Sequence, residues 1–337
     1  MLVALWILGL AGAALALGVL RRLSGMRTVA PELRMRALLI PFSLSPFFRA
    51  LAMRQQRRAG PPRVPDSITM TQHWAEQPDG SRVRIVTFER AGGGGATKPR
   101  PAMLWVHGGG YVIGRPEQDV PLMKRILSHM DIVIVSPAYR LAPEHPFPAP
   151  LDDCHKVLTW LVEQAEALGL DPGRIAIGGQ SAGGGLAAAL VQRAVDQGPI
   201  VPALQLLVYP MLDAATTLRR DDMGTGQFIW TASANRYGWK SYLGRDPGIG
   251  DYPVYAVPAS RASLKGLPPA WIGVGALDLF HGENLEYARR LQQDGVACDV
   301  YVAEAAYHGF DIFRPKAQAT THFYAAMLAA LERGLGA

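Results

Sequence analysis

Ser181 lies in Gly178-Gly179-Gln180-Ser181-Ala182-Gly183-Gly184-Gly185, a G-x-S-x-G arrangement in a chain of 337 residues. A serine hydroxyl attacks a carbonyl carbon only when a base removes its proton, and that base needs a carboxylate to orient it. With 36 glycines in the chain, the pattern alone is weak. Its context is stronger. The aliphatic residues Arg174–Ile177 read as a strand and the alanine-rich run from Ala182 as a helix, the strand-turn-helix arrangement that lifts a serine Oγ above a sheet. Small residues at 179 and 183 let that turn close. The N–H groups of the helix start carry a partial positive charge suited to an oxyanion.

A second glycine-rich stretch, His107-Gly108-Gly109-Gly110-Tyr111, follows the apolar run Ala102–Val106. Three consecutive glycines cost conformational entropy, which is repaid where a backbone must approach another group closely. Acyl transfer puts negative charge on a carbonyl oxygen, and main-chain N–H donors stabilise it. Gly108 and Gly109 are the expected donors from this loop, joined by Ala182, the residue after the serine. Read alone, His-Gly-Gly-Gly is a tight turn; beside the serine turn it becomes an oxyanion loop. In this architecture the acid follows the serine in the chain and the histidine comes last. Asp278 follows the strand-like Ala270–Val274, and His308 follows Cys298–Val302. Asp299, Glu304, Glu283, His281 and His322 compete for these roles but lie within strands, at a helix start or on expected surfaces. Tyr111, Gln180 and Trp230 are the expected substrate-binding side chains.

These residues need a sheet to hold them. Short aliphatic or β-branched runs recur at Val83–Phe88, Ala102–Val106, Ile132–Ser136, Arg174–Ile177, Ala203–Tyr209, Ala270–Val274 and Cys298–Val302. Helix-period segments cover about Leu151–Leu168, Ala182–Gln197, Glu283–Asp294 and Ala317–Arg333. Such alternation predicts an α/β fold with a mostly parallel sheet and helices on both faces. The interval 211–268 breaks the rhythm with Trp230, Tyr237, Trp239, Tyr242 and Tyr255 among polar, Gly and Pro residues, and reads as a lid or pocket wall. The alternative is ordinary packing on the body. Gly92–Gly95 reads as a surface loop.

The net charge of +6 is unevenly spread. Residues 21–64 hold ten arginines and one acid, Glu32, for +9, which leaves −3 over the rest of the chain because residues 1–20 are uncharged. A nucleic-acid partner is therefore not expected, since the basic charge adjoins an apolar run and no recognisable binding fold. MLVALWILGLAGAALALGVL is long enough, at 1.5 Å per residue, to cross a hydrocarbon core of roughly 30 Å. It predicts an N-terminal membrane anchor over residues 1–20, with the following arginines placing the body on the cytoplasmic side. Export after signal-peptide cleavage is the alternative, and a core helix the blander one. Residues 46–58, PFFRALAMRQQRR, form either a basic amphipathic membrane contact or a plain cover for the body. Cys154 and Cys298 lack the spacing of a metal or disulfide framework.

Taken together, HGGG at 107–110, YRLAPEHPFPA at 139–149, GGQSAGG at 178–184, the loop acid at 278 and HGF at 308–310 resemble the hormone-sensitive-lipase branch of the α/β-hydrolases. That branch includes bacterial carboxylesterases and arylacetamide deacetylases. The resemblance covers about residues 65–333. It implies an eight-stranded, mostly parallel sheet and a helical cap built from the basic segment 21–64 and an insertion at about 211–255 within a catalytic domain over residues 65–337. It further implies hydrolysis of small hydrophobic or acetyl esters through an acyl-enzyme, with Ser181, Asp278 and His308 as triad, Gly108, Gly109 and Ala182 as oxyanion hole, and no metal or organic cofactor. Two departures stand out. The family's usual Asp before the nucleophile is Gln180 here, and its D-P-L-x-D-E-G around the acid is Asp278-Leu279-Phe280-His281-Gly282-Glu283-Asn284. An amide deacetylase is the alternative activity. A ligand receptor is a further one, as in plant gibberellin receptors, which resemble the family but lack the histidine present here. A small-molecule ester is the expected partner, and a homodimer is left open.

Overall fold

The computed structural model describes residues 18–20, 22–40, 44–60, 63–77, 80–93, 98–218, 224–248 and 251–336. Eight strands form one sheet: β1 (Ile68–Glu76), β2 (Arg82–Arg90), β3 (Arg100–Val106), β4 (Val133–Ala138), β5 (Leu170–Gln180), β6 (Leu204–Val208), β7 (Ala270–Gly275) and β8 (Cys298–Ala303). Their spatial order is β1-β2-β4-β3-β5-β6-β7-β8. The β1–β2 and β2–β4 pairs are antiparallel, and every pair from β4–β3 to β7–β8 is parallel.

Side-chain alternation explains why the central strands read as unbroken apolar runs. In β3, Leu104 and Val106 enter one core while Met103 and Trp105 enter the other, and in β5 Ile177 and Ala176 divide in the same way. A parallel strand covered on both faces has no solvent side to leave polar. The first core is closed by α3 (Ala149–Glu163), α4 (Ala182–Gln197) and α6 (His281–Gln293), which contribute Leu151, Leu186 and Tyr287. The second is closed by α2 (Val120–His129) and, after the short helix α7 (Phe310–Phe313), by α8 (Gln318–Leu335), with Met123, Ile126, Phe323 and Met327. Edge strand β1 differs, since only its Ile68 and Ala75 are buried.

The order β4-β3-β5 makes β3 the point where the connections diverge, so the loops after β3 and β5 open side by side at the carboxyl ends of their strands. Such a crevice is where open α/β sheets bind ligands. The interval 211–268 holds a 3₁₀ turn, Ala214–Leu218, and a helix, α5 (Ala232–Leu243), with residues 219–223 and 249–250 outside the described residues. In the N-terminal segment, α1 (Pro46–Arg58) is preceded by two 3₁₀ turns, Pro31–Leu33 and Arg36–Leu39.

The expectation of a membrane-anchored location is corrected here. No helix among the described residues is long and apolar enough to cross a membrane. Residues 1–17 of the expected anchor lie outside the described residues. The described helical residues 18–20 and 22–25 give way to a turn at 26–28. Arg22 there donates to the carbonyl of Leu38 at 2.9 Å. Val29, Leu33 and Leu38 are buried in the second core. The described part of the basic stretch is thus folded onto the body.

Candidate active site

Ser181 joins β5 to α4 at φ 56° and ψ −125°, a conformation rare for a residue with a Cβ. Main-chain bonds hold it there: its N–H donates to Val208 at 2.9 Å, and its carbonyl accepts from Gly185 and Met211, each at 3.0 Å. A Cβ at Gly183 would overlap the carbonyls of Val106 and His107, so the turn closes only without one. Strain of this kind persists where surrounding structure enforces it. It turns Oγ toward the loop after β8.

His308 of that loop places Nε2 3.0 Å from Ser181 Oγ and Nδ1 2.7 Å from Asp278 Oδ2. The other carboxylate oxygen of Asp278 accepts the N–H of Phe280 at 2.9 Å. Asp278 is wholly buried, and His308 and Ser181 are each 6% exposed. Because the aspartate accepts at Nδ1, the proton of the neutral imidazole resides there and the Nε2 lone pair faces the serine. Aromatic rings hem in the imidazole: Tyr209, Phe280 and Trp230 have centroids 4.7, 5.3 and 6.1 Å from it. The ring of Trp230 also fills the space a Cβ at Gly110 would need.

The loop after β3 passes close to the serine. A Cβ on Gly108 would lie 3.4 Å from that of Ser181 and 3.0 Å from the Gln180 carbonyl. Gly109 has φ +128° and no room for a side chain against the Ile113 carbonyl. The Gly108 carbonyl accepts from His107 Nδ1 at 2.9 Å and from Gln118 Nε2 at 3.3 Å. In a trans peptide the C=O and the next N–H point in opposite directions, so pinning this carbonyl fixes the direction of the Gly109 N–H. Burial pushes His107 down to about 4, leaving a neutral ring that donates through Nδ1. Tyr139 stacks on that ring at 4.3 Å and donates to the His107 carbonyl at 3.0 Å. Ala182 opens α4, so its N–H belongs to the first turn, which has no intrahelical acceptors.

The expected residues Ser181, Asp278, His308, Gly108, Gly109, Ala182 and Trp230 therefore come together around one point. Two others turn elsewhere. Gln180 is buried and donates to Asp119 Oδ1 at 2.7 Å. Tyr111 stacks on Tyr242 at 4.1 Å in the first core, with its hydroxyl on the Met211 carbonyl at 3.3 Å. Sequence reasoning missed Phe280, Tyr209, Gln118 and Asp119 as neighbours of the site, because nothing in their spacing marks them. It left open whether residues 46–58 contact a membrane or cover the body. The structure ties the N-terminal segment to both key loops. Arg49 of α1 donates to the Val112 carbonyl at 3.0 Å and pairs with Glu144, and Gln56 donates to the Gly114 carbonyl at 3.0 Å. Tyr307, beside His308, donates to the Leu33 carbonyl at 3.1 Å. Glu32 accepts the N–H groups of Gln318 and Ala319 at the start of α8, and those bonds hold its carboxyl below the usual range. Phe47, Phe48 and Leu51 of α1 are exposed. Among the described residues no group of three or more His, Cys, Asp or Glu side chains could hold a metal ion.

The fold and this arrangement define an α/β-hydrolase, and the family model for that fold matches residues 103–312. The chain belongs to this family, in its hormone-sensitive-lipase-like branch. It is 36% identical over 226 residues to the carboxylic ester hydrolase LipN of Mycobacterium tuberculosis, covering 66% of this chain and 59% of LipN. The chain thus spans about three fifths of that relative. It is 35% identical over 252 residues to the carboxylesterase NlhH of the same species, covering 70% of this chain and 75% of NlhH. Among solved structures, a bacterial heroin esterase superposes with a TM-score of 0.82 at 33% identity, over 92% of this chain and 98% of that one.

Proposed function

We propose that this protein is a serine carboxylesterase that hydrolyses small hydrophobic or acetyl esters through an acyl-enzyme. One observation carries the reading: the hydrogen-bonded series Ser181–His308–Asp278 beside the Gly108–Gly109 loop and the start of α4. The similarity to proteins named carboxylesterases supports the same chemistry.

In this reading Ser181 Oγ attacks the ester carbonyl carbon while His308 Nε2 takes its proton. The imidazolium formed is held and stabilised by Asp278. The carbonyl oxygen becomes an oxyanion held by the N–H groups of Gly108, Gly109 and Ala182, each worth about 3 kcal/mol in the transition state. As the tetrahedral adduct collapses, the C–O bond to the alcohol breaks and His308 returns the proton to the departing oxygen. Water then enters, loses a proton to His308 and attacks the acyl-enzyme; as that adduct collapses, the bond to Ser181 Oγ breaks and His308 returns the proton to Oγ, which releases the acid and free Ser181.

Residues 21–64 and the insertion at about 211–255 would serve as the cap over a catalytic domain spanning 65–337. The bonds from Arg49 and Gln56 to the loop after β3, and Trp230 beside His308, support that assignment. A ring so near the imidazole favours short acyl groups. The test is hydrolysis of p-nitrophenyl esters of increasing acyl length by wild type and by Ser181→Ala. Acetyl to butyryl esters should turn over best, and the variant should lose at least about 10⁴-fold in kcat. Unchanged activity in the variant would defeat the reading.

A further inference from the structure

Behind the Ser181–His308 pair a chain of buried polar groups crosses the second core. Trp105 Nε1 donates to Asp119 Oδ2 at 2.8 Å, and Gln180 Nε2 donates to Asp119 Oδ1 at 2.7 Å. The Tyr209 hydroxyl is 3.5 Å from Gln180 Oε1 and donates to Asp311 Oδ1 at 3.0 Å. Tyr324 of α8 donates to Asp311 Oδ2 at 2.7 Å. Asp119, Gln180, Asp311 and Tyr324 also line a cavity of about 250 Å³.

The carboxyl of Asp311 is 1% exposed, and its bonded partners are neutral hydroxyls. Burying a carboxylate without a paired cation is unfavourable, and an apolar group of similar shape would serve packing as well or better. The nearby cations bond elsewhere: Arg125 of α2 stacks on Tyr324 at 4.6 Å, and Arg314 donates to the Glu32 carbonyl at 2.8 Å. His308 stands three residues earlier, just before the short helix Phe310–Phe313 that carries Asp311, and its charge acts on that carboxyl. The ring of Tyr209 packs edge-on against that imidazole while its hydroxyl holds Asp311. Tyr209 is itself kept at φ +34°, with its N–H on the Gly273 carbonyl at 2.6 Å. A positive charge therefore arises beside Asp311 when His308 takes up the serine proton. A fixed negative charge that is complemented only at that moment favours the transition state over the ground state.

We propose that Asp311 is a second carboxylate for His308, a positioning residue that, through Tyr209, favours the imidazolium formed during acyl transfer. The inference rests on the serine-esterase reading above. The groups that face Asp311 are Tyr209 at the end of β6, Tyr324 and, behind it, Arg125, then Asp119 and Gln180 across the cavity, with His308, Tyr307 and Arg314 on its own segment. Burial raises the carboxyl of Asp311 and pushes that of Asp119 up to about 7. It also raises the phenols of Tyr209 and Tyr324 and so keeps both hydroxyls as donors.

The test is the pH profile of kcat and kcat/KM on p-nitrophenyl acetate for wild type, Asp311→Asn, Tyr209→Phe and Ser181→Ala. Asp311→Asn should lose about tenfold in kcat with KM little changed, and its acid limb should move down by about half a pH unit or more. Tyr209→Phe keeps the ring but removes one donor that stabilises the Asp311 charge, so its acid limb should move down as well, by less, with a twofold to fivefold loss in kcat. A purely structural role would move neither limb. Folded Asp311→Asn with wild-type kcat and an unmoved limb would overturn the proposal. Should that variant not fold, an unmoved limb in Tyr209→Phe would overturn it equally. Full activity in Ser181→Ala would instead remove the esterase reading, a result distinguishable from the other two.

Discussion

Gly109 shows how much of the site is decided by single atoms that are absent. At φ +128° an L-residue is strained, and a methyl group there would collide with the Ile113 carbonyl, a main-chain atom that cannot swing aside. Gly109→Ala should therefore displace the loop that, in the proposed reaction, would aim its N–H toward the oxyanion, with kcat on p-nitrophenyl acetate falling about 100-fold or more and circular dichroism unchanged. A variant with wild-type kcat would argue that this N–H plays no part in catalysis. The glycines, Ser181, Asp278 and His308 were legible in the sequence because each lies in a short motif at the carboxyl end of a strand. Asp119 and Asp311 were not. They meet near Gln180 only because β3, β5 and α8 are adjacent in space, and no local spacing encodes that. The expected substrate contact by Gln180 illustrates the same limit, since a position next to the nucleophile says nothing about which way the side chain turns.

At the scale of elements, strands covered on both faces were readable as apolar runs, and α4 begins and ends where its alanine-rich sequence does. Strand β1 escaped notice because ITMTQHWAE lies at the sheet edge with most of its side chains facing solvent, so it lacks an apolar run. α2 was hidden because its apolar periodicity begins directly after the oxyanion loop, and α5 because polar residues alternate with the aromatics it buries. Helix α1 carries a testable role. Its Arg49 joins the loop after β3 to Glu144, yet Glu144 is more than half exposed, so the pair should matter little to stability. Arg49→Ala should lower kcat about threefold to tenfold with less than about 1 kcal/mol of destabilisation, whereas Arg289→Ala, which breaks the exposed Glu286 pair on α6, should change neither. Equal kcat for the two variants would show that α1 only covers the body.

Over the whole molecule, buried acids set a pH dependence of stability opposite to that of a protein held by surface ion pairs. Burial pushes Asp119 from 3.8 up to about 7 and Glu283 from 4.5 up to about 8. The lowered His73, His107 and His155 oppose these acids below about pH 6.5, so between about pH 6.5 and 8 the folded state binds more protons than the unfolded chain and stability falls as pH rises through that window. The melting temperature should be several degrees lower at pH 8.5 than at pH 6.5. A higher value at pH 8.5 would contradict these carboxyl assignments. Glu283→Gln should flatten the slope, since Glu283 accepts from Leu212 N at 2.7 Å and from Asp213 N and Thr216 in a site where its charge is unpaired.

The central claim is that Ser181 forms a covalent intermediate with His308 as its base, and covalent labelling tests it most directly. The protein would be treated with a fluorophosphonate probe, digested and mapped by mass spectrometry. The probe should be found on the peptide carrying Ser181, at a rate strongly reduced in His308→Ala and absent in Ser181→Ala. Labelling of another residue, or undiminished labelling of Ser181→Ala, would contradict the account.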